Sequence, residues 1–131
     1  MLPDIQSGAD IRTLVDHFYA QVQQDEVLGP VFNQLIGDRW DVHLPVIYAF
    51  WKSVLLNTAG YRGHVVQKHL AVNSTIPLTE AHRERWLALW NSTLAQHFEG
   101  PVADDARSKA RNMMDLIFLK IAMARVGRSL L

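Results

Sequence analysis

Apolar residues recur every three or four positions along most of this chain, which is the spacing of one face of an α-helix. A turn containing glycine and proline at 28–30 separates two such stretches. No segment alternates apolar and polar residues as a half-buried strand does. The pattern predicts an all-α protein of about six helices, which we place at 7–25, 31–36, 39–58, 64–71, 80–98 and 102–126.

Residues typical of helix ends lie at several of these boundaries. Ser7 and Asp10 have the spacing of a capping box, with Asp in place of the usual Glu or Gln. Asp38 is a candidate N-cap for the third helix, and we expect the glycine of 59–60 to stop that helix. Glycine and proline at 100–101 are expected to separate the last two helices.

Length and composition indicate an ordinary globular protein. Its 131 residues are 49% hydrophobic and 20% charged, so we expect a single domain over 1–131. The formal net charge of zero argues against nucleic acid or an anionic membrane surface as a partner. The absence of cysteine excludes disulfides, thiolate zinc sites and cysteine nucleophiles. Because the sequence shows neither a signal-peptide pattern nor a membrane-spanning stretch, we expect a cytoplasmic protein.

Helical phase directs two of the six histidines inward. His43 shares a helix face with Ile47, and His69 shares one with Val65 and Val72. A buried imidazole must find hydrogen-bond partners, and a backbone carbonyl would satisfy each ring separately. Two inward histidines on different helices also favour a shared cavity.

The other four histidines are expected to have no central role. His17 and His82 lie among polar or charged residues, and His64 has Lys68 one turn later on its face. His97 ends its helix, where a histidine usually caps carbonyl groups.

Two aromatic residues add polar groups to the same interior. Tyr19 lies in the apolar stripe of its helix and carries a hydroxyl, and Trp86 heads the stripe of its own helix and carries an N–H donor. Each of them alone is explained by aromatic packing. Together with the inward histidines, they describe an apolar cavity with a few convergent polar groups, which is typical of a ligand or cofactor site. No hydrolytic, phosphate-binding or zinc motif occurs, so one imidazole ligand to a haem iron is the leading metal option.

Several short motifs resemble the truncated haemoglobins. "HFYAQVQQDEVLGPVF" has a Phe-Tyr pair, an aspartate six residues after the tyrosine and a phenylalanine thirteen after it. "WDVHLPVIYAFW", followed by "YRG" and "KH" and then by the "WL" of "RERWLALW", is similar to the third group in particular. The Gly-Gly pairs of the first two groups are absent. The resemblance runs from about residue 10 to residue 120.

The resemblance implies a truncated globin fold, a short 2-on-2 helical sandwich around haem b. His69 would be the proximal ligand to the haem iron, and Phe32 would wedge against the porphyrin. Tyr19, His43 and Trp86 would form the distal pocket, with Ile47 as its apolar wall. The other residues expected at the cofactor are Phe50, Trp51, Val65, Val72 and, near the propionates, Lys68, Arg62 and His64.

The implied function is binding of small ligands at the iron, namely oxygen, nitric oxide, carbon monoxide or cyanide. Donors around bound oxygen would slow its release, so redox chemistry such as nitric oxide detoxification or peroxide reduction is favoured over bulk transport. A reductase is then a candidate partner, and no residue is assigned a certain catalytic role. The alternative from a different class is a cofactor-free helical interaction module, in which the inward histidines are core residues.

Overall fold

A computed structural model describes residues 1–57, 68–69, 72–73 and 76–129 of the chain. The described part contains five long helices: α1 Gly8–Gln24, α2 Gly29–Ile36, α3 Trp40–Leu56, α4 Glu80–His97 and α5 Pro101–Ser129. Residues 68–69 and 72–73 are also helical, and most of the short helix predicted at 64–71 lies outside the described residues. No helix within the described ranges is long and apolar enough to cross a membrane. The all-α prediction is confirmed.

The helices form two packed pairs. α1 packs against α3, α4 packs against α5, and contacts between α1 and α4 join the two pairs. The apolar stripe of α1 is buried in the middle of this arrangement, since Leu14, Val15 and Phe18 have no exposed surface. Ile117 and Ile121, in the C-terminal half of α5, form a smaller buried cluster with Val31 and Leu78. The core therefore runs between the pairs, where each helix contributes one face.

The predicted ends of α1 and α3 have different outcomes. The Ser7 side chain accepts a hydrogen bond from the Asp10 backbone N–H at 3.3 Å, as the capping-box spacing predicts. The N-cap of α3 is Arg39, and it makes no side-chain cap bond. The Asp38 prediction is therefore wrong. The Arg39 N–H donates instead to the carbonyl of Ile36, so a tight turn continues directly from α2 into α3.

The C-terminal end of α3 differs from the prediction as well. α3 ends at Leu56, and Asn57 follows in the left-handed conformation with φ 56°. Asparagine is one of the few residues with a side chain that adopts this conformation readily, so it ends a helix as glycine does. The predicted stop at 59–60 lies outside the described residues.

The start of α5 is capped by a residue from the other end of the chain. The Asp4 carboxylate accepts hydrogen bonds from the backbone N–H groups of Val102 at 3.0 Å and Ala103 at 2.9 Å. Gly100 has φ +140°, and a Cβ there would lie 2.6 Å from the Asp4 side chain, so this position requires glycine. The N-terminal segment and α5 are thus joined across 98 residues of sequence.

The Asp4 contact makes stability depend on acid pH. Burial raises the pKa of the Asp4 carboxyl, but the N–H bonds from Val102, Ala103 and Ile5 outweigh burial and hold the pKa below its ordinary value of 3.8. A carboxyl with a lowered folded pKa stabilises the protein above the unfolded pKa and loses this effect as pH falls through the folded pKa.

We expect Asp4→Asn to lower the free energy of unfolding by about 1 kcal/mol at pH 7, as for other lost helix caps. Its unfolding free energy should also fall less steeply than that of the wild type as pH drops below 3.8. Denaturant unfolding measured between neutral and strongly acid pH tests both. Asp38→Asn, at an exposed position, is the matched control. Parallel pH curves for the wild type and Asp4→Asn would contradict the capping role.

Candidate functional site

A cavity of about 430 Å³ lies between the helices, and most of its lining is apolar. Ten of the predicted site residues belong to the described part of the chain, and all ten line this cavity. They are Tyr19, Phe32, His43, Ile47, Phe50, Trp51, Lys68, His69, Val72 and Trp86. Arg62, His64 and Val65 lie outside the described residues. The structure thus brings together residues from α1, α2, α3 and α4 with residues 68, 69 and 72.

Tyr19 and Trp86 form a buried polar contact at the cavity. Tyr19 is 7% exposed and Trp86 5% exposed. Burial raises the pKa of Tyr19 to about 12, and a hydrogen bond with the Trp86 side chain acts in the opposite direction. The indole N–H is a donor only, so the tyrosine oxygen accepts it and the tyrosine keeps its own hydrogen for donation. A protonated phenol is therefore fixed at the cavity wall across the physiological pH range.

The two inward histidines reach the cavity from different elements. His43 lies in the first turn of α3, one turn before Ile47, and His69 lies in the helical pair 68–69. Both side chains are half-buried and line the cavity. The phase prediction that these rings face a shared apolar space agrees with this placement. Their roles toward a metal stay predictions.

Aromatic side chains support the cavity on one side. Trp51 is buried and stacks on Trp90 with ring centroids 4.5 Å apart, and Phe50 packs edge-on against Trp51 at 5.1 Å. Phe32, which also lines the cavity, is tilted toward Tyr19 with ring centroids 5.8 Å apart. These contacts hold flat, apolar rings at the cavity, which suit a planar ligand.

Asp25 fixes the turn that leads to Phe32. Its carboxylate accepts the N–H groups of Val27 and Leu28, both at 3.0 Å, and the Arg85 guanidinium at 2.6 Å. Burial raises the pKa of Asp25, but these hydrogen bonds and the charge of Arg85 together lower it. This explains why an aspartate six residues after Tyr19 belongs to the sequence pattern: it positions α2 against the cavity.

One histidine was misplaced by the sequence analysis. His82 is half-buried and lines the cavity, although a surface position was predicted. Its Nδ1 accepts the Thr79 backbone N–H at 3.0 Å, and the Thr79 side chain accepts the His82 N–H, which forms a capping box. The three-residue spacing between Thr79 and His82 is the sequence feature that could have predicted this capping box.

His97 stacks on the His17 ring at the surface, with ring centroids 4.3 Å apart. This contact replaces the predicted role of His97 as a cap of carbonyl groups.

Further lining residues come from positions that the sequence analysis assigned to the core or left unassigned. They include Arg39, Val46, Arg83, Met113, Met114 and Phe118. Arg83 is held by Glu80 at 3.2 Å and by an ion pair with Asp115. Arg39 and Lys68 are exposed cations at the cavity. An anionic group at the edge of a bound ligand would lie near these charges.

The residues present fit haem. The cavity is apolar, has aromatic walls and carries imidazoles on separate elements, which suits a flat macrocycle held by one axial histidine. Exposed cations at its edge suit the two carboxylates of such a cofactor. Within the described residues no group of three or more His, Cys, Asp or Glu side chains is placed to hold a metal ion by itself.

Comparison with known proteins gives a consistent result. No family model matches the chain. The group 3 truncated hemoglobin ctb of Campylobacter jejuni is 36% identical over 87 residues, which cover 64% of this chain and 66% of that relative, just under two thirds. The crystal structure of a group III truncated hemoglobin from Campylobacter jejuni matches with a TM-score of 0.83 at 27% identity, covering 92% of this chain and 95% of the other. The expected truncated globin fold is confirmed.

The raised pKa of Tyr19 can be tested without a cofactor. We expect Tyr19 to ionise near pH 12 in the folded protein, because burial disfavours the phenolate. Ultraviolet difference titration of the wild type and Tyr19→Phe isolates this residue from Tyr48 and Tyr61. Tyr48→Phe is the control, since burial and the neighbouring Asp16 also raise the pKa of Tyr48 to about 12. A Tyr19 signal centred near pH 10 would show an exposed hydroxyl and contradict the described contact.

Proposed function

The chain belongs to the group III truncated haemoglobins, and from this premise we propose that it binds haem b in the cavity and binds small ligands there. The observation that carries the proposal is the convergence of ten predicted residues on one apolar space of about 430 Å³. We further propose one globin domain over 1–131 and a cytoplasmic location. The general assignment as a haem globin rests on the family, and the roles of individual residues are our proposal.

His69 would hold the haem iron through its imidazole ring. Bound haem supplies an iron centre at which oxygen, nitric oxide, carbon monoxide or cyanide coordinates. Phe32, Phe50 and Trp51 would hold the macrocycle between flat apolar surfaces. Val72, and Val65 as the family resemblance implies, would line the same side of the cofactor as His69. Lys68, together with Arg62 and His64, would attract the propionates.

The opposite wall contains the groups that would contact a diatomic ligand. Tyr19 accepts the Trp86 N–H and therefore turns its own hydrogen toward another acceptor. His43 offers a second polar group, and Ile47 leaves the remaining wall apolar. A ligand that carries partial negative charge is held by such donors, whereas neutral carbon monoxide gains little. At about 1 kcal/mol net for each hydrogen bond, two donors slow ligand release by about tenfold or more.

A pocket that retains oxygen suits a reaction better than delivery. We propose nitric oxide oxidation or peroxide reduction, with electrons from a reductase. In either reaction His43 would hold or move a proton at the ligand, because an imidazole ring can both donate and accept a hydrogen bond. Stopped-flow mixing of the oxygenated protein with nitric oxide, with turnover followed in the presence of a reductase, distinguishes the two reactions.

We expect His69→Ala to lose haem, because the variant removes the proposed axial ligand, while His64→Ala keeps it. The measurement is the Soret absorbance of the purified protein after addition of haemin. His17→Ala, at an exposed position that does not line the cavity, is a second control. Equal haem retention by His69→Ala and His64→Ala would contradict the assignment. A colourless wild type that refuses haemin would favour a cofactor-free helical module instead.

We expect Tyr19→Phe and Trp86→Phe to release oxygen several-fold faster than the wild type, because each change removes a donor or the group that orients it. Carbon monoxide release should change much less, since that ligand stays nearly neutral. Both rates are measured by ligand-displacement stopped flow. If neither variant changes oxygen release, these residues do not contact the ligand, and the proposed distal pocket is wrong.

A further inference from the structure

The outward face of α5 carries a row of large apolar side chains near its C-terminal end. We call this row the outer stripe; it consists of Leu116, Leu119, Met123 and Val126, which are 46%, 56%, 56% and 59% exposed. Spacings of three, four and three residues place them along one side of the helix. Ile117 and Ile121, on the opposite side, are buried in the core. This half of α5 is therefore apolar on two sides, and the protein covers only one of them.

The outer stripe is larger than the isolated apolar residues found on most protein surfaces. Covering its four residues would remove roughly 400 Å² from water on each copy, about half of the roughly 800 Å² per partner of a standard stable interface. An apolar patch of this size is often an interaction site. Its length and narrowness suit a single helix as the partner, bound weakly and reversibly.

Two opposite charges border the outer stripe. With Leu116 and Leu119 at the a and d positions of a heptad, Asp115 takes the preceding g position and Lys120 the following e position. Oδ1 of Asp115 is paired with Arg83, and the half-exposed carboxylate keeps Oδ2 for a cation across the seam. The two borders therefore carry opposite charge, with the acidic one already oriented by the protein.

This charge pattern is self-complementary in one orientation. In a parallel pair of helices, a g residue faces the e residue five positions later on the other helix, so Asp115 of each copy faces Lys120 of the other. A twofold axis parallel to the two helices generates the Asp115–Lys120 ion pair twice. An antiparallel pair centred on the outer stripe places no cation opposite Asp115. A second copy of this chain in parallel orientation thus satisfies both the apolar seam and its charged borders.

We propose that the outer stripe is the seam of a reversible homodimer in which the α5 helices of two copies pack in parallel. This inference is independent of the cofactor, because the outer stripe lies on the side of α5 opposite to its core residues. Its failure would leave the proposed haem function untouched.

Sedimentation velocity of the full-length protein, from about 10 µM to 1 mM, tests the dimer in a range suited to a small interface. We expect the weight-average sedimentation coefficient of the wild type to rise with concentration. Leu119→Asp should weaken the dimer at least tenfold. Val42→Asp, at a position on α3 that is 62% exposed, should leave it unchanged. A wild type that is monomeric throughout, or equal weakening by both variants, would overturn the proposal.

Charge exchange tests the proposed borders. Lys120→Glu places acid against acid, and Asp115→Lys places base against base, so each variant alone should dimerise at least tenfold more weakly. An equimolar mixture of the two restores opposite charges across the seam and should recover association. A mixture no better than its components would show that these borders do not face each other.

Orientation can be tested by cysteine cross-linking, because the natural chain contains no cysteine. In a parallel seam Leu119 of one copy faces Leu119 of the other, so Leu119→Cys alone should form a covalent dimer under mild oxidation. Far-ultraviolet circular dichroism of each variant checks that the helices remain folded. Cross-linking only in a mixture of Leu119→Cys with Met123→Cys would indicate an antiparallel pair and overturn the parallel arrangement.

Discussion

The packing of Phe18 against two tryptophans is the contact on which both the core and the cavity depend. Phe18 has no exposed surface, and its ring meets Trp86 and Trp90 edge-on, with centroids 5.0 Å apart in each case. Tyr19 follows Phe18 directly in the chain, and Trp86 contacts both. Burying Phe18 therefore fixes the helix phase that brings the Tyr19 phenol to Trp86. The position of the polar Tyr19–Trp86 contact is thus set by an apolar contact of the core.

The spacing of apolar residues correctly predicted which side chains face inward where neighbours on the same helix determine this. α1 buries the apolar stripe read from its sequence, and His43 and Trp86 reach the cavity from α3 and α4. In each case neighbours at three- and four-residue spacing determine which way the side chain faces. The motifs that resemble the truncated haemoglobins then indicated the haem chemistry, which apolar spacing alone does not.

Three features were not predicted from the periodicity of apolar residues. Asp38 has the chemistry of an N-cap, but the tight turn after α2 makes Arg39 the N-cap residue. His82 lies in a charged first turn, yet its capping contact with Thr79 leaves it at the cavity. The Asp4 cap joins residues 98 positions apart, and no local pattern indicates it. The first two depend on local backbone geometry that apolar spacing does not indicate, and only the third depends on tertiary contacts.

The Asp4 contact also has a consequence for the order of folding. Asp4 is synthesised before the backbone N–H groups that it accepts, because these lie 98 and 99 residues later in the chain. Closing a loop of this length carries a large entropic cost, and it becomes favourable only after α1 to α4 have shortened the distance between its ends. The segment around Asp4 is therefore expected to bind the start of α5 late in folding, after the helices between them have packed.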